Sequence, residues 1–78
     1  MNRKKINRDF HGYPLHEAIA EVERIISDVR MQQTQATAEF VTGHGVIQRN
    51  ILSLLESYKL SDASISMSNS GVIKVTIE

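Results

Sequence analysis

Between residues 15 and 29 the apolar side chains recur at helical spacing. Leu15, Ala18, Ile19, Val22, Ile25, Ile26 and Val29 follow the i, i+3, i+4, i+7 rule, while His16, Glu17, Glu21, Arg24, Asp28 and Arg30 take the other side. A helix with one apolar face must pack against something flat. The chain has 78 residues, enough for one domain. Its core is necessarily small and its stability only a few kcal/mol, so that face has to be buried by the rest of the chain.

The rest of the chain reads mostly as strands. Ile6 to His11 alternates, with Ile6, Arg8 and Phe10 on one face and Asn7, Asp9 and His11 on the other. Gly12 ends this strand, and Pro14 fits the first helical position, where no amide donor is required. Met31 to Gln35 is a polar connection. A second strand, Ala36 to Thr42, centres on Phe40 and Val41 and runs into Gly43-His44-Gly45. A second helix follows, with Ile47, Ile51, Leu54, Leu55 and Tyr58 on one face, ending near Lys59. Ser61 and Asp62 open a turn. Ala63, Ile65 and Met67 then alternate with Ser64, Ser66 and Ser68, as in a half-buried strand. Ser68-Asn69-Ser70-Gly71 reads as a hairpin turn, because Asn and Gly tolerate positive φ. Ile73, Val75 and Ile77 alternate with Lys74, Thr76 and Glu78 in the last strand.

The element order is β-α-β-α-β-β, with helices over about 14–31 and 46–58. Strand–helix–strand units join parallel strands by right-handed crossovers. A parallel sheet covered on both faces would show continuous apolar runs, and these strands alternate instead. The expected fold is an α/β (α+β) two-layer sandwich: two helices on one face of a four-stranded mixed sheet of order 1-2-4-3, the last strand antiparallel to the others. The second face would carry Asp9, His11, Glu39, Lys74 and Thr76 and stay open.

Without cysteine there is no disulfide framework and no thiolate zinc site. No apolar run approaches the roughly 18 residues that span a membrane, and the basic N-terminus lacks the apolar stretch of a signal peptide. The expectation is a cytoplasmic monomer with no membrane contact. Nine basic and nine acidic residues cancel, which argues against a general polyanion sponge but leaves room for a local basic patch. Arg3, Lys4, Lys5 and Arg8 precede the first acid, Asp9. Two readings fit residues 1–5: a solvated tail, or an arm that touches phosphates ahead of a domain spanning 6–78. In either reading, deleting residues 1–5 should leave stability nearly unchanged, because the first buried apolar residue is Ile6.

Chemistry-bearing residues converge at one corner. Asp9 and His11 are two apart at the C-terminal end of the first strand, and Gly43-His44-Gly45 follows the second. Both helices begin nearby. Ligands of open α/β sheets bind outside the carboxyl ends of the strands, and helix N-termini there offer free amides and a partial positive charge to an anion. A phosphate or phosphodiester is the natural guest. The alternatives are ordinary: Asp9 and His11 pairing with each other or satisfying loop amides, the glycines serving turn geometry, and His16 and His44 facing solvent. No metal-ligand spacing, nucleophile elbow or NTPase phosphate loop is present.

Asp9-Phe10-His11-Gly12-Tyr13-Pro14-Leu15-His16-Glu17-Ala18 resembles the entry motif of the Smr (small MutS-related) domain, typically Leu-Asp-Leu-His-Gly followed by a helix. Thr42-Gly43-His44-Gly45 is similar to that family's Gly-x-Gly motif, Gln48-Arg49 falls where it commonly has Leu-Arg, and Ser70-Gly71-Val72-Ile73 is similar to the Ser-Gly-Val that opens its last strand. The resemblance covers residues 8–78. Arg8 stands in place of the usual leucine, and His44 where lysine or arginine is frequent. The resemblance implies a stand-alone form with a fold like the C-terminal domain of a bacterial translation initiation factor. It further implies binding of DNA or RNA, in some members on ribosomes, and endonuclease activity in several. Carried over by position, Asp9 and His11 would be the reactive pair and Gly43, His44 and Gly45 the phosphate-binding turn. Arg49 would pair with a phosphate oxygen. On RNA, His11 would move a proton at the ribose 2′-hydroxyl or the leaving oxygen. On DNA, an activated water would attack, helped by a divalent metal (Mg or Mn) on Asp9. A non-catalytic RNA-binding or ribosome-binding module and a protein-interaction module are the competing readings.

Overall fold

The computed structural model describes residues 4–60 and 62–78. Its elements are β1 (Lys4–Asp9), α1 (Leu15–Met31), β2 (Ala36–Val41), α2 (Val46–Ser57), β3 (Ser64–Ile65) and β4 (Val72–Ile77). The sheet order is β1-β2-β4-β3, with β1 and β2 parallel and β4 antiparallel to both β2 and β3. The two helices touch each other and share one apolar cluster with one face of the sheet. This is the two-layer α+β fold that the paired periodicities demand.

The strand registers divide the sheet's faces. Ile6, Ala38, Val75 and their neighbours Ala36, Phe40, Ile73 and Ile77 point to the helices and are buried. They meet Ala18, Val22, Ile25, Ile26 and Val29 of α1 and Ile51 and Leu55 of α2. Phe10 and Phe40 are wholly buried with ring centroids 5.5 Å apart. On the other face Asn7, Glu39, Lys74 and Ser64 form an exposed cross-strand row. Opposite charges at Glu39 and Lys74 stand directly across from one another, a favourable pairing.

Several boundaries differ from the sequence reading. β1 begins at Lys4, so Lys4 and Lys5 belong to the sheet, opposite Ala36 and Thr37, and are not part of an arm. Arg3 lies outside the described residues. His11 is beyond the strand, in the turn that Gly12 completes with φ +84°. Pro14 is the residue before the helix, not its first member, and Leu15 remains partly exposed.

The largest difference is at β3. The expected strand over 63–67 shrinks to Ser64 and Ile65, and its burial is inverted: Ile65 and Met67 are exposed while Ser66 is buried. Ile65 faces the helix side opposite Ile73, but an edge strand lacks cover on its outer flank. In place of a further strand residue, both carboxylate oxygens of Asp62 accept the Thr76 amide at 3.1 Å. The hairpin turn also forms differently. Neither Asn69 nor Gly71 has positive φ among the described residues; Asn69 Oδ1 accepts the Gly71 amide at 3.0 Å, and the Val72 amide donates to the Asn69 carbonyl.

Candidate functional site

The corner anticipated from sequence is the carboxyl edge of the parallel pair. Asp9 and Val41 are register partners and end their strands side by side. The chain leaves β1 through a tight turn. The Phe10 amide extends the ladder to the Val41 carbonyl at 2.7 Å, and the Tyr13 amide returns to the Phe10 carbonyl. Asp9 Oδ1 accepts the His11 amide at 2.9 Å, an Asx turn. The carboxylate therefore holds the backbone of His11, and not its imidazole. The side chain of His11 is exposed.

β2 leaves through a turn that needs glycine. Gly43 and Gly45 adopt φ of +70° and +115°, conformations that L side chains rarely reach. The turn is bolted to the hairpin that precedes β4. The Thr42 and Gly43 amides both donate to the Gly71 carbonyl, at 2.8 and 3.1 Å. Gln48 Nε2 donates to the Ser70 carbonyl at 2.7 Å, and His44 Nε2 lies 2.7 Å from Ser70 Oγ. Thus His44 is bound toward the hairpin side of the edge, while Asp9 and His11 are on the β1 side. The Gly43 amide is already used, so an anion would meet the amides of the first turn of α2. No side chain caps the start of either helix, and the first amides of a helix have no intrahelical partner.

Of the basic residues singled out, Arg49 is exposed in the first turns of α2 and forms no ion pair with the described residues. Arg8 turns to the helix face, away from Asp9. Its Nε lies 3.4 Å from Glu21 Oε2 and its Nη1 donates to the Asn7 carbonyl. Glu21 also takes Arg24 at 2.7 Å, and Arg24 reaches Asp28 at 2.9 Å. The hydrogen bond from Arg24 is the main cause that holds the Glu21 carboxyl below the ordinary glutamate range, and partial burial opposes it. Lys4 and Lys5 are exposed on β1, at the opposite end of the strand from the corner.

Two features go beyond the sequence reading. Gln48, noted there only beside Arg49 for its likeness to a family motif, is buried and fastens the hairpin; it stands at i, i+3, i+7 with Ile51 and Leu55, and that spacing could have placed it inward. The corner also has an apolar rim. Tyr13, Leu15, Val41 and Val46 are exposed around it, and Ile65 and Met67 are exposed in and just after β3, the edge strand farthest from β1. Tyr13 stands edge-on to buried Phe10, ring centroids 5.3 Å apart, which leaves its ring fixed and half exposed.

The described residues contain no group of three His, Cys, Asp or Glu side chains that could hold a metal ion. None of their helices is long and apolar enough to cross a membrane. A groove lined by Glu23, Ile26, Ser27, Arg30, Met31 and Tyr58 lies at the far ends of the helices, away from the corner. No family model, curated protein or solved structure matches this chain.

Proposed function

We propose that the protein is a cytoplasmic nucleic-acid-binding domain of the Smr type, with endonuclease activity at the corner formed by Asp9, His11 and the Gly43-His44-Gly45 turn. The observation that carries this reading is the meeting of Asp9, an exposed imidazole and two uncapped helix starts at the carboxyl edge of one parallel strand pair. A phosphodiester fits that combination. The first-turn amides of α2, His44 and Arg49 face its negative charge. Asp9 fixes the turn that carries His11, and His11 moves the proton, at the 2′-hydroxyl or leaving oxygen of RNA or at an attacking water on DNA. Tyr13 offers a ring on which an unstacked base can lie. A divalent metal would have Asp9 as its carboxylate and would supply charge neutralisation at the phosphate; the protein-side steps above do not pass through it.

The test is incubation with labelled RNA and DNA, with and without magnesium or manganese, followed by sizing of the products. His11→Ala should slow cleavage more than about tenfold in a domain that stays folded, since losing a general acid or base typically removes about 10²–10⁴-fold. Equal rates for wild type and variant would make His11 structural.

The apolar rim supports a second reading, in which the same edge binds a protein. Salt separates the two. Phosphate contacts release counterions, so nucleic-acid affinity falls steeply with salt, whereas an apolar contact does not.

A further inference from the structure

β1 is an edge strand with a free side. It pairs with β2, and no described strand pairs with its outer flank, where the Arg8 guanidinium reaches the Asn7 carbonyl. The Lys4 amide donates to the Gln35 carbonyl and the Phe10 amide to that of Val41. Strand alternation then turns the backbone groups of Lys4, Ile6, Arg8 and Phe10 toward β2, and those of Lys5, Asn7 and Asp9 outward. Arg8 Nη1 reaching the Asn7 carbonyl from the solvent side agrees with that direction. The opposite edge of the sheet is different: β3 is short, and Asp62 covers the Thr76 amide beyond it.

We propose that the free flank of β1 is a self-association surface, on which a second copy of the chain adds its own β1 antiparallel to form a continuous eight-stranded sheet. The sequence of the strand selects that partner and its register. A two-fold pairing centred on Asn7 sets Asn7 against Asn7 and Lys5 against Asp9 of the second copy. In this register each of the three outward residues meets an outward residue: the amides of Lys5, Asn7 and Asp9 and the carbonyls of Lys5 and Asp9 gain partners, while the Asn7 carbonyl exchanges Arg8 Nη1 for the Asn7 amide of the second copy. The same three side chains share the open face, so two Lys5–Asp9 pairs of opposite charge flank the centre. On the helix face the stem of Arg8 comes to lie over Ile6, the most exposed member of the core cluster at 9%. A slip of two residues brings Lys5 or Asp9 opposite Asn7, which breaks both ion pairs and part of the backbone ladder. A slip of one residue sets outward groups against inward ones.

Lysines on an edge usually repel other strands. Here Lys5 rejects a strand with no acid opposite it and admits a copy that presents Asp9. One strand pair buries less than the roughly 1,200 Å² of stable specific interfaces, so the dimer is weak and concentration-dependent. On this proposal the expected monomer would give way to a monomer–dimer equilibrium. It is independent of the nucleic-acid reading, although pairing also brings a cation from the second copy beside Asp9.

The test is sedimentation equilibrium of the full chain over a range of concentrations. The wild type should approach dimer mass as concentration rises. Lys5→Glu places like charges opposite one another and should weaken association at least about tenfold; adding Asp9→Lys should restore it to within about threefold. Asn7→Pro removes an outward amide without touching the β2 ladder and should leave a monomer, with circular dichroism reporting the fold. If that variant unfolds, the charge swap decides. A wild type that stays monomeric at the highest concentration reached overturns the proposal and leaves the edge to a strand of another protein. A dimer indifferent to Lys5→Glu and to its rescue overturns it in favour of another face.

Discussion

Gly71 packs against Gly43 so closely that a β-carbon on Gly71 would stand 3.3 Å from the Gly43 Cα. Backbone meets backbone at this point, so the contact is relieved only if the hairpin and the turn shift apart. The contact joins the hairpin before β4 to the turn that opens α2, and the Gly71 carbonyl receives two amides across it. Gly71→Ala should therefore push the hairpin off the turn and lower stability by about 1–2 kcal/mol, in the range of mild overpacking. Gly43→Ala meets no atom but forces a side chain into positive φ, at about 1–2 kcal/mol. Urea titration of both variants reads the effect, and an unchanged midpoint for Gly71→Ala would mean that the hairpin is free to relax.

Asp9 has a structural role that can be separated from a chemical one. Asp9→Asn keeps an oxygen that can accept the His11 amide, whereas Asp9→Ala leaves that amide without its partner. Asn should hold wild-type stability to within a few tenths of a kcal/mol, and Ala should lose about 1 kcal/mol. If the carboxylate takes part in cleavage, both variants lose activity together. If it only shapes the turn, Asp9→Asn cuts like wild type.

Removal of residues 1–5 should cost stability, contrary to the reading of a detachable arm. The truncation deletes Lys4 and Lys5 from β1, and with them the bond from the Lys4 amide to the Gln35 carbonyl. The expected loss is about 1–2 kcal/mol, from one or two ladder hydrogen bonds. A melting temperature equal to that of the full chain would show that β1 starts effectively at Ile6.

Glu21 makes one small part of the stability depend on acid. Its carboxyl titrates below the ordinary range in the folded protein, chiefly because Arg24 donates to it. The unfolded chain thus takes up this proton first as pH falls. The contribution is fully present above the unfolded value of about 4.3 and is lost as pH drops through the lowered folded one. Glu21→Gln should destabilise by less than about 1 kcal/mol at neutral pH, and the gap to wild type should close in acid. A gap that persists at low pH would assign the effect to packing.

The helices, the strands of the parallel pair and the open polar face were legible because burial repeats along the chain. A stripe at i, i+3, i+4 specifies a helix face wherever it lands, and Ala36 to Val41 alternates whatever its neighbours are. The residues of the candidate corner were legible for a related reason. Asp9, His11 and the glycines flank the ends of periodic runs, and in a sheet of this topology those ends share one edge.

What the sequence could not specify is which groups use up which others. Whether Asp9 serves the His11 ring or its amide depends on a turn of only a few residues, in which both are equally near along the chain. Gly43 offered an amide until the Gly71 carbonyl, 28 positions away, arrived to take it. Ser64 to Ser68 alternates as cleanly as β2, yet Ile65 and Met67 are exposed, because inward alternation buries a side chain only if a helix or strand covers that flank. Arg8 alternates with Ile6 and Phe10 and so had to face the helices, but only the fold could bring Glu21 within 3.4 Å of it. Periodicity is local and survives in one dimension; the pairing of polar groups is decided by whichever partner the packed layers carry closest.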